Sequence, residues 1–247
     1  GKVVISGTIA GIVNDAHMWN GSDGFAIHVR NGASAELTST GKIDGEDKKA
    51  GGSAVHVVGL YNETEDEMVF SSLEMVAGSK ICNVNSATAV ALREYSTTYF
   101  DGELSGLTGY AMGCVFNIQS GTSYPEGIPE GTELTSLTIG ENGLIHENEV
   151  DWGAIYAQGK GLNIHLYGRI VDNVSSGNVG GVTLANNATG QTLTMYDGAE
   201  ISRNVVKSAS GAERGAGAVS VRCGTFTMKG GTIEDNLVCG SATESYG

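Results

Sequence analysis

The sequence predicts an all-β chain folded as a right-handed parallel β-helix solenoid of about eight coils. Three observations support this prediction. A motif recurs about every 30 residues, which is typical of stacked structural repeats. Short segments alternate apolar and polar residues, as half-buried strands do. Glycine accounts for 38 of the 247 residues and proline for only 2, which indicates many tight turns and no proline-rich linker.

The repeat is clearest near the end of the chain, where residues 193–204 and 226–236 are two copies of one pattern. Each copy begins with alternating apolar residues, continues through glycine and reaches an apolar anchor residue. The punctuation by glycine and asparagine is least regular at 71–85. The predicted anchors of the successive coils are Ile9, Ile43, Met75, Leu104, Ile145, Ile170, Ile201 and Ile233.

A second alternating segment follows each of the first seven anchors. No helical period lies between the two segment types, and each returns once per repeat. We therefore expect successive copies to lie parallel, since a stack of hairpins would make them antiparallel. The inward residues of the second segments predict one apolar ladder, formed by Ile27, Val55, Val90, Phe116, Ile155, Val182 and Val219.

An asparagine falls three residues after each of the last four anchors. Asparagine tolerates left-handed turns, and its side chain can hydrogen-bond to its own copy in the next coil. The sequence therefore predicts an asparagine ladder at one corner of the solenoid, formed by Asn148, Asn173, Asn204 and Asn236.

The net charge of −14 argues against nucleic-acid binding, because phosphate recognition needs clustered Lys and Arg. No stretch approaches the ~18 apolar residues of a membrane span. The four cysteines form no C-x-x-C pair, which favours buried apolar roles over a metal site. Cys223 and Cys239 lie in the last two repeats, and their spacing leaves a disulfide between them open.

The repeat is incomplete at both ends of the given sequence. The chain opens directly on the strand at 3–5 and stops before a second segment of coil eight. Neither end resembles the cap that a solenoid needs over its core and strand edges. We therefore expect residues 1–247 to form a single domain that is a fragment of a longer multidomain protein, or one whose ends associate with further copies of the chain.

The G-x-I-x-x-N and G-A-V-x-V patterns resemble the right-handed parallel β-helices of the pectate-lyase-like superfamily. They most resemble the degenerate repeats of large bacterial surface proteins. The resemblance covers nearly the whole chain, but its motifs describe coil geometry and contain no catalytic residues. That superfamily includes polysaccharide lyases and hydrolases, lacto-N-biosidases, phage tailspikes and adhesins. The resemblance implies an exported protein, located outside a bacterial cell or on its surface.

A first candidate site comes from the residues two positions after the anchors, which include Glu147, Asp172, Arg203 and Asp235. Neighbouring coils lie about 4.8 Å apart. Glu147 and Asp172 would then have the ~5 Å separation of a retaining glycosidase pair, which makes them candidate catalytic residues. The alternative, which the sequence favours, is a salt-bridge ladder in which Arg203 pairs with Asp172 and Asp235.

A second candidate site comes from long connections at 59–67, 93–98 and 119–133, on coils two to four. Insertions on a rigid scaffold often carry function. These connections contain three tyrosines and several acids. Aromatic rings can cover the C–H faces of sugars, and carboxylates accept hydrogen bonds from hydroxyls. The candidate ligand-binding residues are Tyr61, Tyr95, Tyr124, Glu65, Asp66, Glu94 and Glu126. The alternative, which the sequence favours, is that these loops are solvated and bind no ligand.

The leading functional hypothesis is a non-catalytic surface module, an adhesin or stalk that binds glycan or a host or cell-surface protein through the loops of coils two to four. The first alternative is a carbohydrate-active enzyme, a glycoside hydrolase or polysaccharide lyase, that uses paired carboxylates. The second is a structural solenoid that self-assembles end to end. No cofactor is expected, with Ca²⁺ among the loop acids as the alternative.

Overall fold

The computed structural model describes residues 1–11, 25–48, 52–86, 88–109, 113–121, 123–177, 179–185, 190–209 and 215–240. These residues form strands, turns and bends. Among them, no helix is long and apolar enough to cross a membrane. Strands that recur along the sequence stack on one another in parallel sheets. The prediction of an all-β parallel β-helix solenoid is therefore confirmed.

The first sheet stacks one strand from each of eight coils in the described part of the chain. Its neighbouring strands are parallel and pair without a register shift, so each outward residue lies beside its copy in the next coil. In stacking order these strands are β1 (Lys2–Ile5), β4 (Ser34–Leu37), β9 (Ser71–Met75), β12 (Ser96–Phe100), β15 (Thr135–Ile139), β19 (Leu162–Leu166), β23 (Thr192–Met195) and β27 (Thr225–Met228).

The second sheet also stacks eight strands, each of three residues with an apolar residue in the middle. These strands are β2 (Thr8–Ala10), β5 (Lys42–Asp44), β10 (Lys80–Cys82), β13 (Glu103–Ser105), β16 (Leu144–His146), β20 (Arg169–Val171), β24 (Glu200–Ser202) and β28 (Thr232–Glu234). The predicted anchors occupy the middle positions in every coil but the third.

The anchor predicted for coil three is wrong. Met75 lies in the first sheet, where it pairs with Leu37 and Phe100. Ile81 occupies the anchor position, between Ile43 and Leu104. The pattern misled the prediction because coil three has Ser79 where Gly41 and Gly102 precede the anchor in the adjoining coils.

The third sheet contains β3 (Phe25–Arg30), β6 (Ser53–Val58), β11 (Thr88–Leu92), β14 (Cys114–Gln119), β18 (Ile155–Gln158), β22 (Val182–Leu184) and β26 (Val219–Val221). Its register pairs the predicted inward residues one with the next, from Ile27 and Val55 in the first two coils to Val182 and Val219 at the other end. The predicted apolar ladder is therefore confirmed residue by residue.

The corner between the second and third sheets carries a short parallel sheet, formed by β17 (Glu149–Val150), β21 (Val174–Ser175), β25 (Val205–Ala209) and β29 (Leu237–Gly240). The predicted asparagine ladder lies at this corner. The Nδ2 of Asn148, Asn173 and Asn204 each donates to the Oδ1 of the asparagine in the next coil, at 2.8, 3.0 and 3.0 Å. The ladder prediction is confirmed.

The three sheets enclose one apolar core, which contains the fully buried rings of Phe100 and Phe116. These rings meet edge to face at 5.4 Å between the first and third sheets of coil four. The first and last coils have a neighbour on one side only within the described residues. Their inward apolar residues are accordingly more exposed, with Val3 at 52% and Met228 at 48%.

Candidate functional site

The corner between the third and first sheets carries the connections that the sequence singled out. After β6 the chain forms an antiparallel hairpin of β7 (Leu60–Asn62) and β8 (Glu67–Val69) before it enters β9. After β14 it forms a longer connection of turns that ends at β15. The middle connection is shorter than the sequence suggested, because β11 ends at Leu92 and β12 begins at Ser96.

These three connections contact one another. A β-carbon added at Gly59, at the base of the hairpin, would lie 2.1 Å from the carbonyl oxygen of Tyr95 and 2.6 Å from its Cβ. A β-carbon at Gly121, in the longer connection, would lie 3.4 Å from Oε1 of Glu94. The hairpin, the short turn and the longer connection therefore form one surface. We call it the loop corner, defined by residues 59–70, 93–95, 120–121 and 123–134.

The loop corner brings two predicted tyrosines together. The rings of Tyr61 and Tyr95 lie 6.3 Å apart at 28° to each other, both half-buried. Phe70 meets the Tyr95 ring edge-on at 6.2 Å and supports it from the hairpin side. Tyr95 has a φ of 55°, a left-handed conformation that the short turn between the sheets imposes. The two rings form a platform on the loop corner.

Carboxylates surround this platform. The hydroxyl of Tyr61 donates a hydrogen bond to Asp66, and this bond is the main reason why the pKa of Tyr61 is raised to about 12. Glu65 accepts from Nδ2 of Asn62 at 2.9 Å, which ties the hairpin turn together. Glu94 lies on the short turn and is exposed.

The third predicted tyrosine has a different environment. Tyr124 lies in the longer connection, where the ammonium of Lys160 is 5.5 Å from the centre of its ring. Lys160 also lies 3.8 Å from a carboxylate oxygen of the exposed Glu130. Glu126 is exposed on the same connection. The cation occupies one face of the Tyr124 ring, so the Tyr61–Tyr95 pair is the more open aromatic surface of the loop corner.

The candidate carboxylates Glu147 and Asp172 lie on the corner between the second and third sheets, at equivalent left-handed positions with φ of 53° and 56°. Asp172 accepts two hydrogen bonds from Arg203, at 2.9 and 3.0 Å. Glu147 is largely exposed and lies 3.6 Å from Nδ1 of His146. Arg203 bonds Glu200 at 3.1 Å as its second partner, where the sequence suggested Asp235.

The described residues offer neither a metal site nor a disulfide. Within the described ranges, no three or more His, Cys, Asp or Glu side chains are grouped so that they could hold a metal ion. All four cysteines are free thiols, so Cys223 and Cys239 are not joined. Cys114 is fully buried, and burial is the main cause that raises the pKa of its thiol to about 12.

The sequence reasoning missed a second aromatic surface, on the corner between the first and second sheets. Tyr167 and Tyr196 stack there at 4.2 Å, beside an opening that Tyr99 also lines. The available signal was the residue directly after each first-sheet strand. Reading that column across coils would have placed these tyrosines together.

No protein-family model, curated protein or solved structure matches this chain.

Proposed function

We propose that this chain is a non-catalytic binding module that holds a glycan on the loop corner. The observation that supports the proposal is the Tyr61–Tyr95 platform, two half-buried rings 6.3 Å apart on a rigid scaffold. A pair of rings in nearly parallel planes offers apolar surface to the C–H faces of adjoining sugar units. The nearby carboxylates of Asp66 and Glu94 can accept hydrogen bonds from sugar hydroxyls.

The negative charge of the loop corner restricts the class of glycan that it could bind. The loop corner carries many more carboxylates than cations, and the chain as a whole has a net charge of −14. Acidic polysaccharides such as uronates would be repelled by Glu65, Asp66 and Glu94. Neutral glycans avoid this repulsion and still satisfy the carboxylates through hydroxyl donors. The proposed ligand is therefore a neutral oligosaccharide.

The test is a glycan-array screen of the purified chain with and without Ca²⁺, followed by mass spectrometry of any glycan that binds. We expect a bound and uncleaved neutral glycan. Tyr61→Ala should weaken that binding about tenfold, because it removes one ring of the platform. Tyr196→Ala is the matched control, since it removes a half-buried tyrosine from another corner and should leave glycan binding unchanged. Equal binding by both variants would overturn the assignment to the loop corner.

The enzyme alternative makes a different prediction. A glycoside hydrolase or polysaccharide lyase that uses Glu147 and Asp172 would release cleaved products and lose turnover on Asp172→Asn. The two hydrogen bonds from Arg203 occupy both oxygens of Asp172, which is the arrangement of a surface salt bridge. For this reason the non-catalytic proposal is preferred.

The cellular setting belongs to the same proposal. We infer a place within the pectate-lyase-like superfamily, on or outside a bacterial cell, from the repeat patterns and the coil architecture that they produce. If the array gives no signal, the loop corner would have to bind a protein instead, and pull-down on host or cell-surface proteins with Tyr61→Ala as the negative control would test that. End-to-end assembly would appear as concentration-dependent oligomers in sedimentation.

A further inference from the structure

One residue follows each first-sheet strand at the corner between the first and second sheets. Strand register aligns these residues across consecutive coils, because Phe100, Ile139, Leu166, Met195 and Met228 pair in sequence immediately before them. We call this column the corner stack. From coil four to coil eight it consists of Asp101, Gly140, Tyr167, Tyr196 and Lys229.

One half of the corner stack is filled. The rings of Tyr167 and Tyr196 are stacked in nearly parallel planes, 9° apart, with their centroids at 4.2 Å. The ammonium of Lys229 covers the far side of Tyr196 at 5.1 Å from the ring centre. Nδ1 of His165 lies 3.0 Å from the Tyr196 hydroxyl and fixes that ring. The corner stack therefore already contains one cation–π contact, between Lys229 and Tyr196.

The other half is open, because coil five contributes Gly140 where the next coils contribute rings. A β-carbon at Gly140 would lie 2.3 Å from Oδ1 of Asp101 and 2.7 Å from the Tyr99 hydroxyl, so Asp101 and Tyr99 border the opening where a side chain of coil five would stand. Tyr167 thus has Tyr196 on one face and an opening on the other. This opening has a volume of about 290 Å³ and is lined by Tyr99, Asp101, Thr138, Gly140, Glu141, Asn142 and Tyr167.

The opening is negatively charged. Asp101 is only 9% exposed, and its carboxylate oxygens accept from the backbone N–H and the Nδ2 of Asn142, each at 2.9 Å. Glu141 is exposed at the rim. Among the described residues, neither carboxylate forms an ion pair. Burial, followed by the charges of Asp101, Glu141 and Glu74, raises the pKa of Tyr99.

We propose that this opening binds the guanidinium of an arginine side chain presented by a protein partner. A guanidinium is planar, so it can stack on the free face of Tyr167 as a ring would. Its N–H groups can reach the remaining lone pairs of Asp101 and Glu141, neither of which is paired with a cation in the described part of the chain. A lysine ammonium would supply the charge without the flat surface, and a neutral sugar would supply a surface without the charge.

The proposal does not rest on glycan binding at the loop corner, since it uses other residues on another corner. Its test is titration of the full chain with N-acetyl-arginine amide while the aromatic proton and carbon resonances of Tyr99 and Tyr167 are followed by NMR. We expect saturable shifts with a dissociation constant on the order of 1 mM, as suits one stacked and partly exposed cation. N-acetyl-citrulline amide has the same shape without the charge and should shift these resonances at least fivefold more weakly.

Variants separate the contributions of the ring and the charge. Tyr167→Leu should abolish the saturable shift of Tyr99, and Glu141→Gln should weaken binding about threefold while it leaves the fold intact, because Glu141 is exposed. Asp235→Asn removes an exposed acid from the corner between the second and third sheets and should change nothing. Equal response to the arginine and citrulline probes, a larger response to methyl glucoside, or no saturable shift up to about 50 mM would each overturn the proposal.

Discussion

At the scale of single residues, the corner between the second and third sheets depends on backbone conformation. Asn83, Glu147, Asp172, Arg203 and Asp235 occupy the turn with φ between 53° and 56°. The asparagine that follows is buried in coils five to seven, and its amide satisfies backbone groups that the turn leaves unpaired. Nδ2 of Asn173, for example, also donates to the carbonyls of Ile145 and Val171. Each ladder residue therefore stabilises the turn of its own coil and the contact with the next.

A histidine on the outer face of the third sheet gives a pH prediction at this scale. The ring of His56 stacks on Phe25 at 4.5 Å and lies 4.9 Å from that of His28. Burial, followed by the positive charges of Arg93 and His28, lowers the pKa of His56 from 6.5 to about 4. Protonation therefore favours the unfolded chain, and the free energy of unfolding should fall as the pH is lowered from 6.5 to about 4.

Urea unfolding at a series of pH values measures this effect. His56→Phe keeps a ring against Phe25 but cannot titrate, so its stability should vary less across that window; the lowered pKa of His28 retains a part of the slope. Below pH 4 both proteins should lose stability alike, since Asp44 and Glu103 have pKa values of about 2 in the fold. The same slope in both proteins between pH 6.5 and 4 would contradict the prediction.

At the scale of elements, the hairpin of β7 and β8 is the main departure from the regular coil. Its base packs against the short turn before β12, and Gly59 permits this approach. A β-carbon there would meet the carbonyl oxygens of Tyr95 at 2.1 Å and Val69 at 2.4 Å, both backbone atoms that cannot rotate away. Because Gly59 has no side chain, the base of the hairpin can pack directly against the short turn at Tyr95.

We expect Gly59→Ala to lower the free energy of unfolding by about 1–3 kcal/mol and to separate Tyr61 from Tyr95. Thermal unfolding and limited proteolysis within 60–69 would measure the two effects. Gly7→Ala is the control, because a β-carbon there has nothing within 4 Å. Equal stability of the two variants would mean that the hairpin can shift without cost.

The wrong anchor prediction for coil three has a physical explanation. In coils one, two, four, five, six and eight a glycine stands two residues before the anchor, whereas coil three has Ser79 there and coil seven has Ala199. The corner still closes, because the hydroxyl of Ser79 bonds the carbonyl of Val76 at 2.7 Å. Serine can replace glycine when the residue does not need a positive φ. The glycine two residues before the anchor is therefore an unreliable predictor of where the anchor lies.

At the scale of the whole molecule, one core runs the length of the solenoid and each coil is stabilised by its neighbours. The anchor ladder gives a direct comparison, because isoleucine recurs in it. Ile145, Ile170 and Ile201 are fully buried, whereas Ile233 in the last described coil is only partly buried. An isoleucine at the anchor position therefore contributes more to the free energy of unfolding in a central coil than in the last described coil.

Ile145→Ala should lower the free energy of unfolding by about 2–5 kcal/mol, and Ile233→Ala by about half of that or less. Urea denaturation followed by far-ultraviolet circular dichroism measures both. Equal losses at the two positions would show that the last coil is as well covered as the central ones.

The sequence by itself determined the parallel β-helix, the apolar ladder of the third sheet and the asparagine ladder. These features follow from residue types that repeat at a regular interval, and local periodicity is visible without coordinates. Only the tertiary structure decided the register of coil three, the pairing of Tyr61 with Tyr95, and the opening between Tyr99 and Tyr167. These depend on which residues of different coils become neighbours. Insertions of unequal length and the missing glycine of coil three hide that relation in the chain, whereas hydrogen bonds between stacked strands fix it in space.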